Sequence, residues 1–312
     1  MTLPRVRRCV LFVPAVRPDR FEKAVATGVD AICLDLEDGV SFAQKDEARE
    51  KALALLAERP VTRAEVMLRI NEPGSELGDR DLEALLSAEG RPDALMVPKV
   101  GGPDALRALE ERLAPTLSGM PLVVQIETAP GLAAVEEIAV ATPEVAVLFF
   151  GAVDLSADLG CAIEWDALLY ARSRVVAAAA LAGVQAMDTP FMDVGAPSKL
   201  TAESHAACRL GFRGKAAIHP TQVSLIQTAF SPSMEEVSWA RRIVAAYEAN
   251  KGGVLLVDGK LIERPVIASA QPPRLRVPPA EALTRSLPPR AASCSRGGCA
   301  APRWGTRRPR TS

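Results

Sequence analysis

Eight short apolar runs, separated by amphipathic stretches, limit what this chain can fold into more than any single motif does. The runs are Cys9–Val13, Ala31–Leu36, Val66–Ile70, Ala94–Val97, Leu122–Ile126, Val145–Phe150, Val184–Met187 and Lys215–Ile218. Each has the length of a strand buried on both faces and is too short for a core helix. Helical patterns lie between them at Asp19–Thr27, Ala43–Ala57, Asp79–Ser87, Asp104–Leu113, Leu132–Ala141, Trp165–Ala182 and Lys199–Leu210. Thr221–Phe230 and Met234–Asn250 follow the eighth run. Strict alternation means parallel strands joined by helical crossovers. Eight such units in about 220–250 residues is the size of a (β/α)8 TIM barrel. A doubly wound sheet is the alternative, but it expects a glycine-rich first turn, and Pro14-Ala15-Val16-Arg17 follows the first run.

Composition narrows the class. With 48% apolar and 24% charged residues in 312, the chain can bury a real core and is not wholly disordered. No stretch approaches the ~20 uninterrupted apolar residues of a membrane helix. Arg5, Arg7 and Arg8 before Cys9–Val13 outline a signal peptide, but the apolar part is too short and no small-residue cleavage site follows, so a first buried strand is expected. The six cysteines, at 9, 33, 161, 208, 294 and 299, form no C-x-x-C, and no His lies near any pair of them. They predict a reducing compartment, the cytoplasm, with neither a disulfide framework nor a zinc site.

The net charge of −1 hides an asymmetry. Residues 272–312 hold nine Arg and one Glu, which leaves −9 on residues 1–271. An acidic body argues against nucleic acid as a partner. The expected organisation is a barrel over 1–250, a C-terminal segment over 251–271 (the lid of the family resemblance below), and an Arg/Pro-rich disordered tail over 272–312. Within the C-terminal segment, Val254–Val257, Asp258-Gly259 and Lys260–Ile262 read as a small hairpin, followed by a short helix from Pro265.

Most of the eight runs end on a polar or charged residue: Arg17, Glu37/Asp38, Arg69, Lys99, Glu127, Asp154, Asp188 and His219. Barrel enzymes build their active sites on that rim. Loops are polar in any case, but nothing requires a charge within a residue or two of the last apolar position, strand after strand.

Gln125-Ile126-Glu127-Thr128 ends the fifth run, and Gly151–Gly160 follows the sixth. Neighbouring parallel strands lie about 4.8 Å apart, so Glu127 and Asp154 can converge on one cation. Two carboxylates without His or Cys suit a hard ion such as Mg2+. The same residues could instead cap the following helices. Arg69, in Leu68-Arg69-Ile70-Asn71, needs an anion: Glu37 or Asp38 from the neighbouring strand, or a substrate. It is either a structural salt bridge or a fixed cation facing an enolate or carboxylate oxygen. Leu34-Asp35-Leu36-Glu37-Asp38 crowds three carboxylates at one strand end, which is unfavourable without a nearby cation. Glu37 and Asp38 are read as supports behind Arg69 and a metal-bound water, with Asp38 equally able to cap helix two. His219 is read as structural and His205 as surface.

Taken in order, Leu11–Pro14 with Arg17–Arg20, Leu34–Asp38, Leu68–Asn71, Val97–Lys99, Gln125–Thr128, Gly151–Gly160 and Ala217–Pro220 resemble the citrate lyase β-subunit-like family within the HpcH/HpaI aldolase group. The resemblance runs from about Arg8 to Gln271. It implies a (β/α)8 barrel, homotrimeric or hexameric, that cleaves or forms a C–C bond in 3-hydroxyacyl-CoA thioesters such as malyl-, citramalyl- or citryl-CoA. It implies Mg2+, replaceable by Mn2+, on Glu127 and Asp154, with Arg69 binding substrate. Family members with a C-terminal lid place an acid in a neighbouring subunit's site. The matching residue is Glu263, where the family pattern has Asp. Arg17, Arg20 and Lys23 could meet CoA phosphates or form the solvated face of helix one.

The expected chemistry is Claisen-type cleavage to an α-keto acid and a thioester enolate, with Arg69 holding the developing charge and Glu263 moving the proton. Three alternatives stay open. One is a malyl-CoA thioesterase on the same site. Another is a subunit active only inside a citrate lyase complex. The third is a Schiff base on Lys99.

Overall fold

The computed structural model describes residues 5–250 and 254–263. Eight parallel strands close on themselves: β1 (Cys9–Pro14), β2 (Ala31–Asp35), β3 (Glu65–Arg69), β4 (Ala94–Val97), β5 (Leu122–Ile126), β6 (Val145–Phe150), β7 (Gln185–Asp188) and β8 (Gly214–Ala217). Each pairs with the next, and β1 pairs with both β2 and β8, so no edge is left open. The (β/α)8 barrel is therefore the fold, and the doubly wound sheet is set aside.

Period-two alternation explains why each strand reads as an unbroken apolar run. One set of side chains fills the barrel interior: Val10, Ala31, Cys33, Met67, Ala94, Met96, Val123, Val147, Phe149, Met187 and Ala216. These come from all eight strands. The other set, including Leu11, Ile32, Leu34, Leu68, Leu95, Val124 and Leu148, packs outward under the helices.

The helices are α1 (Asp19–Ala26), α2 (Lys45–Glu58), α3 (Glu76–Ser87), α4 (Pro103–Leu117), α5 (Ala129–Ala133), α6 (Val135–Ala139), α7 (Ala152–Leu159), α8 (Leu169–Ala182), α9 (Pro197–Leu210), α10 (Pro220–Ala229) and α11 (Met234–Ala249). α4 illustrates the coding. Pro103 sits in its first turn, and Leu106, Leu109, Leu113 and Leu117 form one buried stripe.

Two elements differ from the sequence expectation. The helix expected over Leu132–Ala141 is two five-residue helices, with Ala134 at a non-helical φ/ψ between them. No helical pattern is expected between Phe150 and Trp165, yet α7 forms there, between Gly151 and a left-handed Gly160. After α11 the hairpin strands are β9 (Leu255–Val257) and β10 (Lys260–Ile262). Asp258 and Gly259 between them both have positive φ, as a two-residue type I′ turn requires. The helix expected from Pro265, the tail 272–312, Cys294 and Cys299 lie outside the described residues. The four described cysteines are free. Among the described residues, no helix is long and apolar enough to cross a membrane.

One ionic cluster lies between barrel and helices. Lys215 and Asp188 are both 0% exposed and pair at 2.6 Å. Arg172 reaches Asp188 at 3.1 Å, and Glu203 reaches Lys215 at 2.7 Å. Asp188 thus points outward under α8 and α9, away from the rim where the run-end pattern put it. Asp188→Ala would leave Lys215 and Arg172 short of countercharge in a dry layer. We expect a loss of about 3–5 kcal/mol of folding free energy, read from urea unfolding midpoints.

Candidate functional site

The site is assembled at the C-terminal ends of β2 to β6. Asp35 closes β2, and its carboxylate accepts the backbone N–H groups of Glu37 at 2.9 Å and Gly39 at 3.0 Å. A side chain at position 39 would overlap the Asp35 carboxylate, so the curl needs glycine there. Arg69 closes β3 and stands directly opposite Asp35 in the strand register. Its Nε and Nη2 donate to the two Asp35 oxygens at 2.7 Å each, and Nη1 meets Glu37 Oε2 at 2.8 Å. The guanidinium carbon lies 4.8 Å above the Phe12 ring. Burial works to lower its pKa, but Asp35 and Glu37 raise it above the ordinary arginine value. Three of its five N–H groups are engaged, which leaves one each on Nη1 and Nη2.

Lys99 follows β4 and Pro98. Its backbone N–H donates to Glu127 Oε1 at 2.9 Å, and its ammonium donates to Glu37 Oε1 at 2.6 Å. Burial works to lower the ammonium pKa, but Glu37, with Asp38 and Asp154 beyond, holds it above the ordinary lysine value. An amine held as a cation in this way is a poor Schiff-base nucleophile.

Glu127 follows β5 and is 2% exposed. Its second oxygen accepts from Gln125 Nε2 at 2.8 Å. Burial first, then the negative charges of Asp154 and Glu37, push its carboxyl up to about 8, against the Lys99 N–H and Arg69. Opposite it stands Gly151, where any Cβ would overlap the Glu127 side chain. The absence of a Cβ lets β6 carry the chain past a buried carboxylate. Asp154 is the third residue of α7 and is half-buried. The Thr189 hydroxyl accepts the Ala152 N–H at 3.2 Å and ties down the start of that helix.

These residues fit a hard divalent cation. Asp35, Glu37, Glu127 and Asp154 face only Arg69 and Lys99, leaving two formal negative charges; Asp38 and Lys45 at the edge cancel. Among the described residues, neither Glu127 nor Asp154 has an ion-pair partner, and Gln125 Oε1 is buried without a hydrogen-bond partner. All donors are oxygen, as Mg2+ prefers.

The structure brings Arg69, Glu127, Asp154 and Glu37 together. It does not bring Asp38: that side chain is exposed, comes no nearer than 4.0 Å to Lys99, and makes no contact with Arg69. Asp35, not Asp38, is the second carboxylate on the guanidinium, because residues two apart share a face. Arg17 pairs with Asp19 at 2.8 Å on the surface, and Arg20 and Lys23 are exposed on α1. Glu263 is exposed just past β10. His219 caps α10 through its ring nitrogen. Sequence reasoning missed the Lys99 backbone contact and the need for Gly151. The motifs contained both residues, but only the fold shows what they touch.

A family model described as HpcH/HpaI aldolase/citrate lyase matches residues 8–220. The mitochondrial citramalyl-CoA lyase of Mus musculus is 34% identical over 284 residues, covering 85% of this chain and 84% of its own length. The L-malyl-CoA/beta-methylmalyl-CoA lyase of Cereibacter sphaeroides is 34% identical over 296 residues, covering 86% and 93%. Among solved structures, CitE from Mycobacterium tuberculosis in complex with magnesium, acetoacetate and coenzyme A matches with a TM-score of 0.72 at 34% identity, over 86% of this chain and 97% of that one.

The raised Glu127 pKa gives a signed prediction. Without a cation the folded protein keeps a proton that the unfolded chain loses near 4.5, so this group's contribution to stability falls as pH rises from about 4.5 to about 8. A divalent ion must displace that proton. Mg2+ affinity should therefore rise up to about tenfold per pH unit below about 8 and flatten above it. Isothermal titration across pH 6 to 9 reads this, and Glu127→Gln should remove both the binding and the pH dependence.

Proposed function

The chain belongs to the HpcH/HpaI aldolase/citrate lyase family, and on that premise we propose that it is a Mg2+-dependent carbon–carbon lyase of 3-hydroxyacyl-CoA thioesters. Malyl-CoA, citramalyl-CoA and citryl-CoA are the substrate class, and an acyl-CoA and an α-keto acid (oxaloacetate from citryl-CoA) are the products. The observation that carries this reading is the pair Glu127 and Asp154. Glu127 just past β5 and Asp154 in the first turn of α7, after β6, have no ion-pair partner among the described residues, and across the rim the buried Arg69 guanidinium has two N–H groups that no described residue engages.

In this reading Glu127 and Asp154 hold Mg2+ or Mn2+, which supplies Lewis-acid polarisation of the substrate's oxygens when bound. Arg69 is fixed by Asp35 and Glu37 before substrate arrives, so it faces the enolate oxygen that develops during cleavage at little reorganisation cost. The C–C bond breaks as its electron pair moves into the thioester to form the enolate, and the substrate hydroxyl gives its proton to water as the keto group forms. Glu263 of a neighbouring copy protonates the enolate carbon, or removes that proton in condensation. Its exposed place past β10 suits a residue that serves another copy, in a homotrimer or hexamer. Arg17, Arg20 and Lys23 would meet CoA phosphates, with Arg17 exchanging Asp19 for phosphate. Residues 1–250 would carry the chemistry, 251–271 the lid, and 272–312 a tail. The compartment would be a reducing one such as the cytoplasm.

The test is the purified chain with malyl-, citramalyl- and citryl-CoA and Mg2+. Keto-acid release is expected, lost in excess EDTA and restored by Mg2+ or Mn2+. Intact hydroxy acid with free thiol would mean a thioesterase instead. Turnover undiminished by EDTA would discard the metal role. Arg69→Lys keeps the charge but not the fork. It should lower kcat by about 10²–10³ with the fold intact by circular dichroism.

A further inference from the structure

Lys99 combines two features that β4 does not require. It is one of two described non-glycine residues with positive φ, at 53°. The other, Asp258, sits in the hairpin turn that demands it. Lys99 lies in no turn. A lysine held in this region marks a position fixed by its surroundings, and such positions cluster at functional sites. The surroundings are two acids of different strands: the N–H is aimed at Glu127, beyond β5, and the ammonium crosses the end of β3 to Glu37, beyond β2. Glu37 in turn holds Arg69 Nη1 with its other oxygen.

Glu37 is also a hazard. It is a buried third carboxylate, close enough for its charge to act on Glu127. A hard cation gathers any carboxylate that can reach it, and each added ligand closes a coordination position that a substrate needs. Building on the proposed lyase reading, we infer that Lys99 is a positioning residue: its ammonium pins Glu37 against Arg69 and keeps a third carboxylate from joining Glu127 and Asp154, while its backbone N–H orients Glu127. Removing the ammonium then frees Glu37 to close on the ion. Affinity for the ion rises and turnover falls, the opposite pairing to that of general damage.

The test uses the full chain and two readouts: Mn2+ binding without substrate, by electron paramagnetic resonance, and kcat and KM with citramalyl-CoA. Lys99→Met should tighten Mn2+ binding by about threefold or more and lower kcat about tenfold or more, with KM within about twofold. Lys99→Arg should recover most of kcat. Adding Glu37→Gln to Lys99→Met should return Mn2+ affinity to the wild-type value without restoring kcat. If Lys99→Met fails to fold, Lys99→Gln carries the same expectations. Mn2+ affinity that does not tighten in the folded variant, whatever kcat does, overturns the inference. Wild-type Mn2+ binding abolished by Glu127→Gln tests the metal reading separately. A wild type that binds no Mn2+ fails that reading, whereas one that binds Mn2+ equally with and without the Lys99 ammonium fails only this inference.

Discussion

Four carboxylates and two cations are gathered at the C-terminal end of this barrel, and the negative excess shapes the rest of the rim. Asp35 and Glu37 are answered by Arg69 and Lys99 at 2.6 to 2.8 Å. No cationic side chain among the described residues pairs with Glu127 or Asp154; Glu127 accepts only the Gln125 amide and the Lys99 N–H. Burying a carboxylate beside another is expensive unless a cation or a proton compensates. The chain spends two backbone devices on keeping Glu127 there: the missing Cβ at Gly151 and the inward N–H of Lys99. A fold that needed only stability could remove the excess by exchanging two acids for amides.

The other ionic clusters of the barrel support that contrast. At its N-terminal end, Arg7 forks onto Glu65 with contacts of 2.5 and 2.8 Å. Under the helices, Asp188 is shared by Lys215 and Arg172, and Arg172 stacks between Phe150 and Trp165 at 4.9 and 4.7 Å. In both places every acid meets a base. Such closed pairs tie elements together and leave nothing for a ligand to complete. At the C-terminal rim, by contrast, the charge balance stays open, and that is the end where this architecture places its chemistry.

The sequence made the barrel legible because strands buried on both faces become continuous apolar runs, whose number and spacing are countable. It made less of the short helices legible. α7 has eight residues, two of them acids, and is defined by glycines at its two ends. Side-chain direction is legible in the strands as well. Strand parity alone places Asp35 and Glu37 on one side and Asp38 on the other, and sends Asp188 outward while Met187 faces in. Parity keeps Glu37, which the sequence already offered to Arg69, and puts Asp35 in place of Asp38. Partnerships made by backbone atoms were beyond reach. No pattern of letters announces that the N–H of Lys99, at positive φ, points at an acid on another strand.

The same charge excess explains why a proton carrier would be kept off the barrel in the proposed lyase. A fifth acid fixed on the rim would add to the repulsion around Glu127 and compete with substrate for the ion. Carried on the hairpin, Glu263 stands in solvent, past a strand anchored by the fully buried Ile262. It would enter the site only when a neighbouring copy closes over bound substrate. The barrel then supplies the fixed charges and the hairpin supplies the movable one. Because Glu263 is one methylene longer than the aspartate of the family pattern, its reach is set by how the hairpin seats. Errors of about 1 Å in that seating are large on the scale of proton transfer. In that reading the demand for precision would fall on the interface between copies, while the rim would carry the fixed charges.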